Sequence, residues 1–193
     1  MGDLLGLVFC GGKSSRMGTD KSLLEYHGIP HRYYLFHLLQ KFCNEVCLSV
    51  NEHQAENEDG RYPFITDAGE YRDIGPMSAL LSAWQKFSGA SLLAVGCDYP
   101  FLNKDSIRQL IRQRKGKATC FFLTENNIHE PLLTIYESSF YPIVIDNYHK
   151  QNFSLSKILE YEEVNIIQTS SSMMLQNVNT PDEYFLAKKI LHM

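Results

Sequence analysis

Short apolar runs alternate with stretches of helical periodicity along almost the whole chain. Leu4 to Phe9 carries no charge and predicts a buried strand. Further apolar runs predict strands at Val46 to Val50, Tyr62 to Ile65, Leu92 to Val95, Thr119 to Leu123, Leu132 to Tyr136 and Val164 to Ile167. Helical spacing between them predicts a helix at His31 to Phe42, entered just after Pro30, and one at Met77 to Phe87, entered at Gly75-Pro76. The same spacing predicts helices at Asp105 to Arg114, with Asn103 or Lys104 near the start, and at Ser138 to His149, Leu155 to Tyr161 and Pro181 to Leu191. Asn51 to Arg61 is the one strongly polar run, a loop or short surface helix between two strands. This alternation implies an α/β protein, a three-layer α/β/α sandwich on a mostly parallel sheet of Rossmann-like form. Ligands of such sheets sit at the carboxyl ends of the strands, so candidate chemistry is sought there.

Composition narrows the partners. A chain of 193 residues, expected to form a single domain over 1–193, is long enough for a full hydrophobic core. The net charge of −4 provides no basic field for nucleic acid, so a phosphate ligand must be held by a local cluster of donors and cations. No apolar run approaches the roughly 20 residues needed to span a bilayer, and Met1 to Phe9 lacks the basic start of a secretory signal. Cys10, Cys43, Cys47, Cys97 and Cys120 form an odd set without a CxxC pair, which fits reduced thiols in a cytoplasmic protein.

The first candidate segment is Gly11-Gly12-Lys13-Ser14-Ser15-Arg16-Met17-Gly18-Thr19-Asp20-Lys21, directly after the first strand. Its glycines allow positive φ and close backbone approach, so that successive N–H groups can point at phosphate oxygens. Arg16 can grip a phosphate through two N–H groups, Lys21 offers a compact charge, and Ser14 and Ser15 add hydroxyls. The spacing fits neither a Walker loop nor GxGxxG. The bland alternative is a flexible turn with solvated charges.

Two further segments end strands in carboxylates. In Val95-Gly96-Cys97-Asp98-Tyr99-Pro100, Asp98 is either a turn or cap residue or a hard-oxygen ligand for magnesium; a phosphate loop from another strand beside it favours the metal. Asp67, in Ile65-Thr66-Asp67, can orient a ribose or a base edge, and Gly75-Pro76 can open a helix N-terminus toward anions; a structural turn explains both equally well. His129-Glu130-Pro131 lacks HExxH spacing, no GxSxG elbow occurs, and His27 and His37 read as surface or packing residues.

Taken together, Phe9-Cys10-Gly11-Gly12-Lys13-Ser14-Ser15-Arg16-Met17-Gly18-Thr19-Asp20-Lys21 resembles the LAGGxSxRMGxDK opening of molybdenum cofactor guanylyltransferases. The resemblance continues in order over nearly the whole chain. Asp67 falls where that family has an aspartate after its third strand. Gly75-Pro76-Met77-Ser78-Ala79-Leu80 looks like its GPLAGL, and Cys97-Asp98-Tyr99-Pro100 like its CDxP metal site. Glu130-Pro131-Leu132 is similar to its HPL or EPL segment, and Asn177-Val178-Asn179-Thr180-Pro181-Asp182-Glu183 to its NVNTPEE close.

The resemblance implies transfer of GMP from GTP to the terminal phosphate of molybdopterin, with release of pyrophosphate. It places nucleotide contacts on Cys10, Gly11, Gly12, Lys21 and Asp67, with Ser14 alongside, and a further contact on Asn51 or Ser49. Magnesium falls on Asp98, and Arg16 and Lys21 neutralise phosphates. GTP and molybdopterin would be the partners, with a molybdoenzyme or chaperone as a transient third. Phe9-Cys10 departs from the family's Leu-Ala, and Phe153 precedes Ser154-Leu155 where the family often has arginine. Gly11 favours guanine over cytosine, since the related cytidylyltransferases tend to have LAAG. The competing readings are another nucleotidyltransferase, for cytidylyl or sugar-phosphate transfer, and a nucleotide-binding protein without turnover.

Overall fold

A computed structural model describes residues 3–12, 17–124, 127–169 and 173–192 of the chain. Seven strands form one sheet in the order β3-β2-β1-β4-β6-β5-β7. They are β1 (Leu4–Phe9), β2 (Glu45–Ser49), β3 (Phe64–Ile65), β4 (Ser91–Gly96), β5 (Ala118–Leu123), β6 (Ile128–Tyr136) and β7 (Asn165–Thr169). Among the described residues, only β6 runs against its neighbours β4 and β5. The remaining pairs are parallel.

Two layers of helix cover the sheet. Val8, Leu48, Leu93, Val95 and Ile135 pack with α1 (His31–Leu39) and α4 (Lys104–Arg112). The alternate residues Leu7, Phe9, Cys47, Leu92 and Ala94 face α3 (Pro76–Lys86), α5 (Tyr141–His149) and α6 (Leu155–Tyr161). Strand period two thus sends neighbouring side chains to opposite cores, which is why β1 and β4 are buried throughout. Gly6 has a packing reason. A Cβ there would stand 3.1 Å from Leu39 and 3.2 Å from Val46, so glycine lets α1 approach β1. The remaining helices are α2 (Glu52–Glu56) and α7 (Pro181–Leu191).

Several elements differ from the sequence expectation for identifiable reasons. The helix expected to reach Phe42 ends at Leu39. The helix expected from Ser138 is a 3₁₀ turn over Ser138–Phe140 followed by α5, the break falling just before Pro142. The strand expected at Tyr62 to Ile65 shrinks to two residues because Pro63 has no N–H to add to the ladder. β6 begins at Ile128, four residues early, and carries Pro131 within it.

The first connections place the site. From β1 the chain moves through β2 to β3 on one side, and returns to lay β4 on the other side of β1. The crevice therefore opens above the carboxyl ends of β1 and β4, where the order reverses.

Candidate active site

A cleft of about 1040 Å³ lies at that reversal. Cys10, Gly11, Gly12, Lys21, Asn51, Asp67 and Asp98 all line it, although they come from the segments after β1, β2, β3 and β4, with Lys21 on a 3₁₀ turn of its own. The other expected contacts, Ser14 and Arg16, lie outside the described residues, as do Lys13 and Ser15.

The glycine loop departs from expectation in one respect. The N–H groups of Cys10 and Gly11 both donate to the Ser49 carbonyl, at 2.9 and 3.2 Å. They extend the β1–β2 ladder and are not available to a phosphate. The backbone turns away from the sheet only at Gly12, whose φ of 145° suits glycine. Cys10 itself is buried, its Sγ 3.7 Å from the Cys97 thiol on the adjacent strand.

Lys21 starts a 3₁₀ turn, Lys21–Leu23, capped by Asp20, whose Oδ1 accepts from the Ser22 N–H at 2.9 Å. The ammonium donates to Asn179 Oδ1 at 2.5 Å, in the segment before α7. A capping box fixes that segment: Glu183 Oε2 accepts from the N–H groups of Asn179 and Thr180, and Thr180 caps Glu183. Gln54 holds the other flank. Its side-chain amide donates to the Cys10 carbonyl at 3.0 Å and to Asp20 Oδ2 at 2.7 Å. Sequence reading passed over Gln54; the signal was Asn51 followed three residues later by glutamine, a capping box at the start of α2. That box occupies Asn51 Oδ1, while Ser49 is buried beside it, and both residues line the cleft.

Asp98 stands just past the end of β4. Burial raises the pKa of its carboxyl above the ordinary aspartate value, and the charge of Lys21 pulls it back down. The two groups are walls of one cleft. Asp98 Oδ1 is enclosed and has no hydrogen-bond partner among the described residues. An orphaned carboxyl oxygen in a cleft fits a hard cation that brings its own remaining ligands. Among the described residues no cluster of three or more His, Cys, Asp or Glu could hold a metal. A cation here would rest on Asp98, water and ligand oxygens, as magnesium at phosphate sites commonly does.

The far wall carries a helix N-terminus and a pair of acids. Gly75, at a φ of 70°, turns the chain into α3, and Gly75, Pro76 and Ser78 face the cleft. The N-terminus of α3 is a favourable place for an anion or a carbonyl oxygen. Asp67 lies with Asp73 on the same side; burial, with the Asp73 charge adding to it, raises the Asp67 pKa. The arrangement combines a lysine, a backbone turn at a glycine loop, a helix N-terminus and one cation-ready carboxylate, which is what a bound nucleoside triphosphate requires.

Comparison with known proteins identifies the family and the fold. Residues 6–164 match the MobA-like NTP transferase domain family. A molybdenum cofactor biosynthesis bifunctional protein of Synechocystis sp. is 35% identical over 188 residues, 94% of this chain and 52% of that protein. The chain thus spans about half the length of that relative. A probable molybdenum cofactor guanylyltransferase of Flavobacterium johnsoniae is 25% identical and is covered over 95% of both chains. The crystal structure of molybdopterin-guanine dinucleotide biosynthesis protein A from Archaeoglobus fulgidus superposes with a TM-score of 0.78 at 21% identity, covering 97% of this chain and 98% of that one. At that identity the superposition speaks for the fold.

Proposed function

Since the chain belongs to the MobA-like NTP transferase family, we propose that it transfers GMP from GTP to the terminal phosphate of molybdopterin, releasing pyrophosphate. The observation that carries this reading is the convergence of Lys21 and Asp98 on one cleft at the strand-order reversal. The likeness to relatives whose names specify guanylyl transfer supports the choice of base.

Both reactants are anions, so the barrier is chiefly repulsion and alignment. Lys21 and, in the same proposal, Arg16 neutralise the α-phosphate and the departing pyrophosphate. Asp98 would hold a magnesium ion, whose charge offsets that of the triphosphate oxygens. A phosphate nucleophile is already ionised, so the residues of the cleft need supply no general base. Holding two reactants in line removes roughly 7–11 kcal/mol of barrier. Asp67 and Asn51 would face the ribose and base end of the nucleotide, with Cys10, Gly11 and Gly12 along its length. Since the Cys10 and Gly11 N–H groups are committed to Ser49, the loop's contribution at those residues is shape and close approach.

The reading is tested by incubating the protein with GTP, magnesium and molybdopterin and following pyrophosphate. Release that depends on all three is expected. Nucleotide binding without pyrophosphate would favour a binding protein. Stabilisation by CTP in place of GTP, in a thermal-shift comparison of the four triphosphates, would move the activity to cytidylyl transfer.

A further inference from the structure

Three consecutive carbonyls follow the Asp98 side chain, and each is held by a donor from a distant part of the chain. Asp98 O accepts from the Val178 N–H at 3.0 Å. Tyr99 O accepts from His31 Nε2 at 3.2 Å, and Pro100 O from His27 Nε2 at 3.0 Å. The Leu102 N–H adds a local turn bond to Tyr99 O at 3.3 Å. Beyond the end of β4 the sheet no longer dictates this backbone, so these donors decide where the Asp98 carboxylate points.

The two imidazoles are built for that task. His31 is fully buried, and His27 stacks on Tyr34 with ring centres 3.8 Å apart and on His31 at 5.9 Å. Burial pushes the His31 pKa down to about 3, so the ring is neutral at ordinary pH. Its Nδ1 has no partner among the described residues, which places the proton on Nε2, facing Tyr99 O. Burial also lowers the His27 pKa, leaving a neutral stacked pair with two N–H groups aimed at adjacent carbonyls. A buried histidine without a charged partner or a ligand is a costly way to fill space; here the hydrogen bond explains it.

We propose that His27 and His31 are positioning residues that hold the Tyr99 and Pro100 carbonyls and thereby set the affinity of the Asp98 carboxylate for a divalent cation. This rests on the cation-binding reading of Asp98 given above. The roles parallel the outer partners of metal ligands in general, whose loss typically weakens metal binding about 10- to 100-fold.

Each histidine is replaced by leucine, which removes the donor, and by glutamine, whose amide nitrogen can reach the position of Nε2. Binding of Mn²⁺ in the presence of GTP is followed by electron paramagnetic resonance of the free ion. A companion measurement on the metal-free, nucleotide-free protein follows hydrogen exchange at the Tyr99, Phe101 and Leu102 amides. H27L and H31L are expected to weaken Mn²⁺ binding about 10-fold or more and to speed exchange at those amides, with H27Q and H31Q restoring both in large part. His27 is only half-buried, so H27L keeps the test open should H31L fail to fold. Unchanged exchange at 99–102 in folded H27L overturns the proposal, and so does unchanged Mn²⁺ affinity. If the unaltered protein itself takes up no Mn²⁺ with GTP, the cation reading of Asp98 fails, and the proposal fails with it whatever the exchange shows.

Discussion

The Lys21 ammonium donates to Asn179 Oδ1 across 158 residues of sequence, at 2.5 Å. Through that contact the last helix sets the position of a cation supplied by the first loop. The Glu183 carboxylate completes the connection by holding the Asn179 N–H at 2.7 Å, which also keeps the Glu183 pKa low.

Asn179→Ala should therefore act through Lys21. Turnover is expected to fall about 10²–10³-fold for Lys21→Ala, the usual loss for one preorganised donor, and less for Asn179→Ala, which leaves the charge in place and removes only the Asn179 contact. Added to Lys21→Ala, the Asn179→Ala change should cost little more. Steady-state kinetics of the two single variants and the double variant check this; equal, fully additive losses would assign Asn179 a separate task.

Gly96 is required by its neighbour's side chain. A Cβ at this position would stand 2.6 Å from Asp98 Oδ1, 3.1 Å from the Tyr99 ring and 3.2 Å from Leu132 Cβ. Gly96→Ala is expected to displace the carboxylate, reducing turnover assayed with magnesium far more than GTP binding measured without metal. Comparable losses in both would mean that the crevice as a whole had collapsed.

Asp98 gives a pH dependence of definite sign. Burial raises its pKa in the folded protein, so between the ordinary aspartate value and the raised one the metal-free native form holds a proton that the unfolded chain has already lost. Stability contributed by this group is present at low pH and is lost as pH rises from the ordinary aspartate value through the raised one. Asp98→Asn should thus raise the melting temperature of the metal-free protein at neutral pH while abolishing turnover. Since the cation needs the ionised form, turnover of the unaltered protein should fall on acidification at a higher pH than an unperturbed aspartate would give. Melting curves and a pH–rate profile read the two effects separately.

Much of this could be read before any coordinates. The apolar bursts gave the strand positions because doubly buried strands leave uninterrupted runs, as in Leu4–Phe9 and Ser91–Gly96. The cleft residues Gly11, Gly12, Lys21, Asp67 and Asp98 were legible as glycines, a cation and carboxylates at or after strand ends, whereas Cys10 was implied only by the family resemblance. The antiparallel direction of β6 was not, since side-chain alternation is the same in either direction; nor was its early start, hidden by Pro131. The use of the Cys10 and Gly11 N–H groups by Ser49 depends on the register of β1 against β2. Sequence gave no sign of it. His27 looked like a surface or packing residue, and His31 drew no reading beyond its place in the helix, because the carbonyls they hold, Pro100 and Tyr99, lie about 70 positions away, and a carbonyl leaves no mark on residue type.

The most direct test of the whole account is a double-mutant cycle in kcat/KM for GTP with Lys21→Ala, Asp98→Ala and the combination. Residues that stabilise one charged transition state as a unit are strongly non-additive. Each single change is expected to cut turnover at least about 100-fold, with the pair costing far less than the product of the two losses. Near-normal turnover in either single variant, or losses that simply multiply, would contradict the claim that Lys21 and Asp98 act on one bound polyphosphate.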